Sequence, residues 1–392
     1  MIRPYSDPDD TLMNQRLRGE AVNYELNDAY DYGGAPVPTR LDAAYEAVAE
    51  YIGTNPDESQ QLIAAKCGGL LAGYDARWRD AGYVPIVVEK YYEADLMNPA
   101  TNAKSRTFRL GGKVDLIAEL NGRSFLFDHK TTSHDITDPN APYWRQLAIE
   151  GQVSQYMLLL WLHGIKVDNA VWDVVKKPSI SPKKLSKAER AQAASLGEYF
   201  GGKLSAASQT AMATDERETL EMYELRLAHD CTVERPEYYF QRRAVPRMES
   251  ELLEYAEELW SHSQDLIETR RNGRHVRNSG ACMLYGAPCR YLGVCSGHDT
   301  IDSDKWRRKT QVHTEIPIVE GDGRNILTNS RVRCWQTCRR KHQLDYELGV
   351  ERIDEEEREA LFFGSCIHAG LNAWWSHNME PERNAAESAA AT

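Results

Sequence analysis

The 392-residue chain lacks any apolar run long enough to cross a bilayer as a helix, so no membrane span is expected. Its opening residues, MIRPYSDPDD, lack a basic stretch followed by an apolar one. No secretory signal is therefore read, and the expected compartment is the cytoplasm. Neither a Gly-x-Ser-x-Gly elbow nor a His-Glu-x-x-His pair occurs. The nearest approach to a phosphate-binding loop, Gly197 to Leu204, carries leucine where a Ser or Thr should reach Mg²⁺, and no buried strand precedes it. A built-in ATPase is thus excluded, and a helicase motor would belong to another chain. No internal repeat is evident. An excess of positive charge is also missing, since 47 Lys and Arg against 59 Asp and Glu give a net charge of −12. Phosphate binding wants Lys and Arg, but the basic residues are grouped, at Lys176, Lys177, Lys183, Lys184 and Lys187, at Arg307 to Lys309, and at Arg339 to Lys341. Each group reads first as a solvated face; together they leave room for a local basic groove despite the acidic total.

Composition is that of a globular protein, with 42% hydrophobic and 27% charged residues. The eight cysteines, without a secretory signal, point to free thiols or a metal site and not to disulfides. Residues 1–35 read as a polar arm. Helical spacing follows over 40–52 and about 58–80. Strands are expected over 84–92, 112–120 and 123–130, a helix over 144–163, and a strand over 167–176. Helices are expected in 185–228, over 247–271, around 329–348 and around 364–376, with a cysteine-rich loop at 282–295 and a linker at 301–328.

The most informative segment is the pair of strands around Asn121-Gly122. Asn-Gly between alternating apolar runs signals a two-residue hairpin, because both residues tolerate positive φ. Leu120 then pairs with Arg123, and every opposed pair sums to 243. Asp115 and Asp128 satisfy that sum, which puts them opposite each other with Cβ atoms about 4.5–5.5 Å apart. Val114, Leu116, Phe125 and Phe127 are expected on the other face. Two opposed carboxylates repel, and a divalent cation removes that cost, since Mg²⁺ is commonly held by one or two carboxylates. Lys130, two residues past Asp128, projects to the same face. It could orient an attacking water and offset phosphate charge. Glu89, on the preceding strand, is a further carboxylate candidate, equally readable as a surface residue.

Gly112-x-x-Asp115 followed by Asp128-x-Lys130 resembles the PD-(D/E)XK nuclease superfamily. Gln152-Val-Ser-Gln-Tyr156 resembles the Gln-x-x-x-Tyr motif of its RecB-like branch, with Gln152 and Tyr156 on one helical face. Gly364-Ser-Cys-Ile-His368 resembles that branch's Gly-x-x-x-His segment. The stretch from Ser330 through Cys338 to His342 resembles the segment supplying a first cluster cysteine, and Cys282, Cys289 and Cys295 resemble the trailing three. The resemblance implies a restriction-endonuclease-like α/β fold, a central mixed sheet flanked by helices, with a helical cap stapled by an iron–sulfur cluster. It implies a Mg²⁺- or Mn²⁺-dependent DNA nuclease acting in recombination, repair or phage DNA processing within a bacterial or phage-infected cell. Asp115, Asp128, His368 and the His129 carbonyl would hold the ion. Gln152 and Tyr156 would face the active site and DNA, single-stranded or with free ends. A helicase or recombination protein would be the partner. Four thiolates suit [4Fe–4S] or zinc. The resemblance favours iron–sulfur, while the six-residue gap between Cys282 and Cys289, longer than the branch's usual short one, keeps zinc open. Cys334 could replace Cys338; Cys67, Cys231 and Cys366 read as free.

The order of segments departs from the branch. The Cys338 and His368 segments come first there and last here, at 322–376, after the cysteine trio. A circular permutation is expected, with a nuclease core at 36–300 and the displaced segment at 329–392; a fragment of a tandem arrangement is the alternative. Rival functional readings are a catalytically degenerate DNA-binding or scaffold module and a zinc-stapled interaction protein.

Overall fold

The computed structural model describes residues 39–284, 287–313, 316, 323–353, 358–377 and 379. The expected polar arm at 1–35, the acidic run at 354–357 and the tail from 380 lie outside the described residues. Helices α1 (Arg40–Ile52) and α2 (Glu58–Trp78) each begin at a capping box, Thr39 with Asp42 and Asp57 with Gln60. In each box the cap and third-residue side chains satisfy two of the amide donors a helix start leaves orphaned.

Three long strands follow: β1 (Val84–Met97), β2 (Lys104–Leu120) and β3 (Arg123–Thr132). Asn121 and Gly122 have φ of 54° and 74°, the positive values a type I′ turn demands. The β2–β3 ladder runs from Leu120↔Arg123 to Leu116↔Phe127, in the register read from the sequence. The helix expected over 144–163 is two helices, α3 (Pro142–Ala148) and α4 (Gly151–Leu162), broken at Ile149-Glu150. Strand β4 (Asn169–Lys176) returns parallel to β3. Helices α5 (Lys187–Leu196), α6 (Ala206–Thr214) and α7 (Leu220–His229) form a side lobe. The near-phosphate-loop sequence there is a small hairpin, 198–199 paired with 202–203.

Strand β5 (Phe240–Val245), missed in the sequence, pairs antiparallel with β4 and is followed by helix α8 (Glu249–Asn272). The stretch read as a linker at 301–328 instead carries strands. Trp306–Arg308 pairs with Val350–Arg352, and β6 (Asn325–Leu327) lies parallel to β2 at Phe108–Leu110. Helices α9 (Asn329–Thr337) and α10 (Glu359–Ser376) complete the fold. The sheet order is β1-β2-β3-β4-β5 with β6 beside β2, a mixed sheet flanked by helices, the architecture expected from the sequence.

Two cores separate the layers. On one face Leu116, Ala118, Phe127, Val171 and Phe240 pack against α1, α2, α7 and α10. On the other, Phe108, Leu110, Val114, Leu126 and Trp172 pack against α3, α4, α8 and α9. Val114 therefore departs from the expectation that it shares a face with Leu116 and Phe127. The alternation slips by one residue at Asp115. It slips at Glu89 as well, where Val88 packs with the first core and Tyr92 with the second. The pairs Val88↔Leu116 and Lys90↔Val114 bracket Glu89 and Asp115, and Glu89 has φ of 53°, a left-handed conformation uncommon outside glycine. Both strands thus change face at the same rung.

Candidate active site

That rung brings carboxylates together. Ligand atoms of Glu89, Asp115 and His368 lie within 4.8 Å of one another. Glu89 also pairs with Lys113. Asp115 Oδ2 accepts the main-chain N–H of His129 at 2.9 Å, which ties β2 to β3 just past the last ladder pair. His368 arrives from α10, whose Gly364 sits so close to β3 that a Cβ would lie 3.2 Å from the Thr131 hydroxyl. A glycine at that position lets the helix, and the histidine one turn later, approach the strand.

Asp128 lies next to this trio and is fully buried, at 0% exposure. The Lys130 ammonium is 2.5 Å from its Oδ2, yet neither carboxylate oxygen accepts a directed hydrogen bond. Burial pushes the Asp128 carboxyl up to about 6, with Lys130 opposing and the Asp115 charge adding to the rise. Burial also raises Asp115, against the pull of His129 and Lys130. Burial, His129 and Lys130 lower His368 to about 4, so its imidazole is neutral at ordinary pH and keeps a lone pair for a metal. A fully buried carboxylate is costly to desolvate even with one ammonium as its partner. A divalent ion would compensate it, so the residues present fit such an ion.

Lys130 Nζ donates to Gln152 Oε1 at 2.8 Å, and Gln152 Nε2 donates to the Tyr156 hydroxyl at 3.0 Å. Of the i, i+4 pair read on α4, Gln152 meets the lysine and Tyr156 meets Gln152. Gly112 makes room for this pair, because a Cβ there would fall 2.8 Å from the Tyr156 ring. Asp115 and His368 thus meet in the trio, the His129 N–H reaches Asp115, Asp128 pairs with Lys130, and Gln152 links Lys130 to Tyr156. The His129 side chain, by contrast, turns away to Asp173, 3.1 Å from its Nδ1.

A family model for the PD-(D/E)XK nuclease superfamily matches residues 8–296 and 326–392. The chain belongs to this superfamily. No curated protein and no solved structure matches it. Membership makes a nuclease the indicated activity class and DNA the implied substrate, and superfamily nucleases generally use Mg²⁺ or Mn²⁺. No helix among the described residues is long and apolar enough to cross a membrane.

The four cysteines singled out also lie together, away from the sheet. Burial pushes the Cys295 thiol up; Arg340 opposes this, and Cys289, Cys338 and Cys282 add to it. Cys338 Sγ accepts the Asn278 N–H at 3.4 Å, and the Cys289 N–H donates to the Cys282 carbonyl at 2.8 Å. Cys67, Cys231 and Cys366 are buried in the core. The basic groups, expected as solvated faces, are partly committed within the fold. Lys176 lies 3.7 Å above the Tyr238 ring, Arg307 pairs with Glu351, and Lys309 with Asp345.

Proposed function

We propose that the protein is a Mg²⁺- or Mn²⁺-dependent deoxyribonuclease of the RecB-like branch. It acts as an exonuclease on DNA with free ends or single-stranded segments, in recombination, repair or phage DNA processing, beside a separate helicase or recombination protein. The observation that carries this reading is the buried Asp128, paired with Lys130 beside the Glu89, Asp115 and His368 trio. Asp115, Asp128 and His368 would hold the ion, with the His129 carbonyl and Glu89 as further ligands. A bound divalent ion would polarise the phosphoryl oxygen and stabilise charge on the leaving oxygen. Lys130 has three N–H donors. One is given to Gln152 and the ammonium pairs with Asp128; it would orient the water whose oxygen bonds to phosphorus as the bond to the leaving oxygen breaks, the water's proton passing through solvent to the departing oxygen. Gln152, anchored by Tyr156, keeps the ammonium in place.

We assign Cys282, Cys289, Cys295 and Cys338 to a [4Fe–4S] cluster. The charges of Cys289, Cys338 and Cys282 all act on Cys295, which supports a shared four-thiol site. The pairing of Asn325–Leu327 with β2 and the gathering of His368 with Glu89 and Asp115 within one chain support permutation over a tandem fragment.

The test is a cleavage assay on end-labelled single- and double-stranded DNA, with protein purified without oxygen. Shortening of labelled strands with Mg²⁺ or Mn²⁺, abolished by EDTA, is expected, together with iron in the preparation. DNA binding without cleavage in either ion would leave a degenerate scaffold, and zinc without iron would replace the cluster.

Proton and ion should compete for Asp128. Its folded-state value is raised, from 3.8 to about 6. The stability this group contributes in ion-free protein is therefore full at low pH and lost as pH rises through about 6. The ion restores it. The rise in Tm on adding Mg²⁺ should be small near about pH 5 and grow through about pH 6 to 7. Scanning fluorimetry with and without Mg²⁺ reads this difference, and a pH-independent increment would contradict it.

A further inference from the structure

Behind the strand carrying Asp128 and Lys130 lies a row of buried polar groups that the reaction above does not use. His129 pairs with Asp173 across the parallel β3–β4 ladder, and Asp173 pairs with Arg242 across the antiparallel β4–β5 ladder. The three side chains meet on the face turned to α2 and α10. His129 Nδ1 is 3.1 Å from Asp173 Oδ2, and Arg242 Nε donates to Asp173 Oδ1 at 3.0 Å. The Tyr74 hydroxyl, from α2, donates to Asp173 Oδ2 at 2.5 Å and accepts from Arg242 Nη2 at 2.9 Å. The same hydroxyl accepts the Trp375 indole N–H, from α10, at 3.1 Å. Asp173 is 1% exposed. Burial works to raise its carboxyl, but Arg242 and His129 hold it well below the usual carboxylate range.

Position gives this network its meaning. His129 stands between Asp128 and Lys130, and its own N–H holds Asp115 Oδ2. Its ring also sits edge-on to that of His368, with centroids 6.1 Å apart. Trp375 lies seven residues beyond His368, on the same face of α10. The network therefore reaches the candidate ligands from two elements. It fixes the ring of His129, and with it the peptide that aims Asp115, and it fixes the helix that delivers His368. A buried charged group without its partners would be costly, so each member holds the others in one geometry.

We propose that Asp173, clamped by Arg242 and Tyr74, is a positioning residue that sets the affinity of the centre for its divalent ion. This rests on the metal-centre reading above. It differs from a merely structural ion pair, which would lower the melting temperature and leave ion affinity untouched.

The experiment measures Mn²⁺ binding directly, by electron paramagnetic resonance without DNA, on wild type, Asp173→Asn and Tyr74→Phe. Cleavage is then measured against Mn²⁺ and against DNA concentration. For Asp173→Asn the Mn²⁺ dissociation constant should rise about 10–100-fold, the usual effect of losing a group that orients metal ligands. At saturating Mn²⁺ kcat should largely return, and KM for DNA should stay near wild type. Tyr74→Phe removes one hydroxyl and keeps the ion pair, so it remains informative if Asp173→Asn does not fold; its dissociation constant should rise in the same direction by less. Folded variants that bind Mn²⁺ as wild type does would overturn the positioning role alone. A wild-type protein that binds no Mn²⁺ would overturn both this role and the metal-centre reading.

Discussion

Asp128→Ala should cut DNA cleavage by about a thousandfold or more without lowering the stability of the ion-free protein. A metal ion's charge stabilisation contributes several kcal/mol to a phosphoryl transition state, and each 1.36 kcal/mol is tenfold in rate. Loss of a principal ligand removes most of that. Stability should move the other way because Asp128 is a buried carboxylate, at 0% exposure, whose oxygens accept no directed hydrogen bond and which the Asp115 charge opposes. Alanine removes that unfavourable group, and Lys130, whose side chain is partly exposed, loses the ion pair but keeps Gln152. The ion-free variant should melt within a few degrees of wild type or above it, and Mg²⁺ should raise its Tm less. Cleavage assays beside thermal melts read both halves. Full Mg²⁺-dependent cleavage by the folded variant would remove Asp128 from the centre and the mechanism with it. The pattern expected is that of a site where function is kept at the expense of stability.

A chain ending at residue 322 should fail to fold. Helix α10 buries Phe363, Ile367, Leu371, Trp374 and Trp375. At about 1.5–3 kcal/mol for each large side chain taken out of water, that is on the order of 10 kcal/mol. The whole stability of a domain is about 5–15 kcal/mol. The truncation also strips β6 from β2 and removes Cys338 and His368. Insoluble or protease-sensitive protein without cleavage is expected. Supplying residues 323–392 as a second chain should restore solubility and cleavage together, and so should moving that segment to the front of the chain. A soluble, cooperatively melting and active truncated protein would show that the segment is dispensable.

Local chemistry decides how much of this was legible beforehand. Asn121-Gly122 fixes its turn without help from the rest of the chain, so the register around it followed from the sequence alone. Gln152 and Tyr156 share a helical face by spacing, and Gln152 joins Tyr156 to Lys130, a contact that spacing alone does not reveal. The slip at Glu89 and Asp115 was not legible, because a glutamate gives no sign that it will adopt positive φ. It moved Val114 to the other core and brought Glu89 from an open choice into the trio. Strand β5 escaped notice because Arg242 and Arg243 break its apolar pattern. Arg242 is paid for by Asp173, whose role no local pattern reveals. Strand β6 is three residues long and gains its strand character from Phe108 to Leu110, far away in sequence.

The contacts of α10 also bear on the order of folding. Its Trp374 and Trp375 meet Asp75 and Tyr74 across separations of 299 and 301 residues. Such long-range closure is slow, because the entropy of a very large loop must be overcome before any contact rewards it. The hairpin bearing Asp115 and Asp128 can form on its own within microseconds, whereas His368 docks only with that last closure. On the proposed reading of the centre, competence to cleave would therefore be the last property to be acquired on folding, since the acidic pair can form before the helix that brings His368.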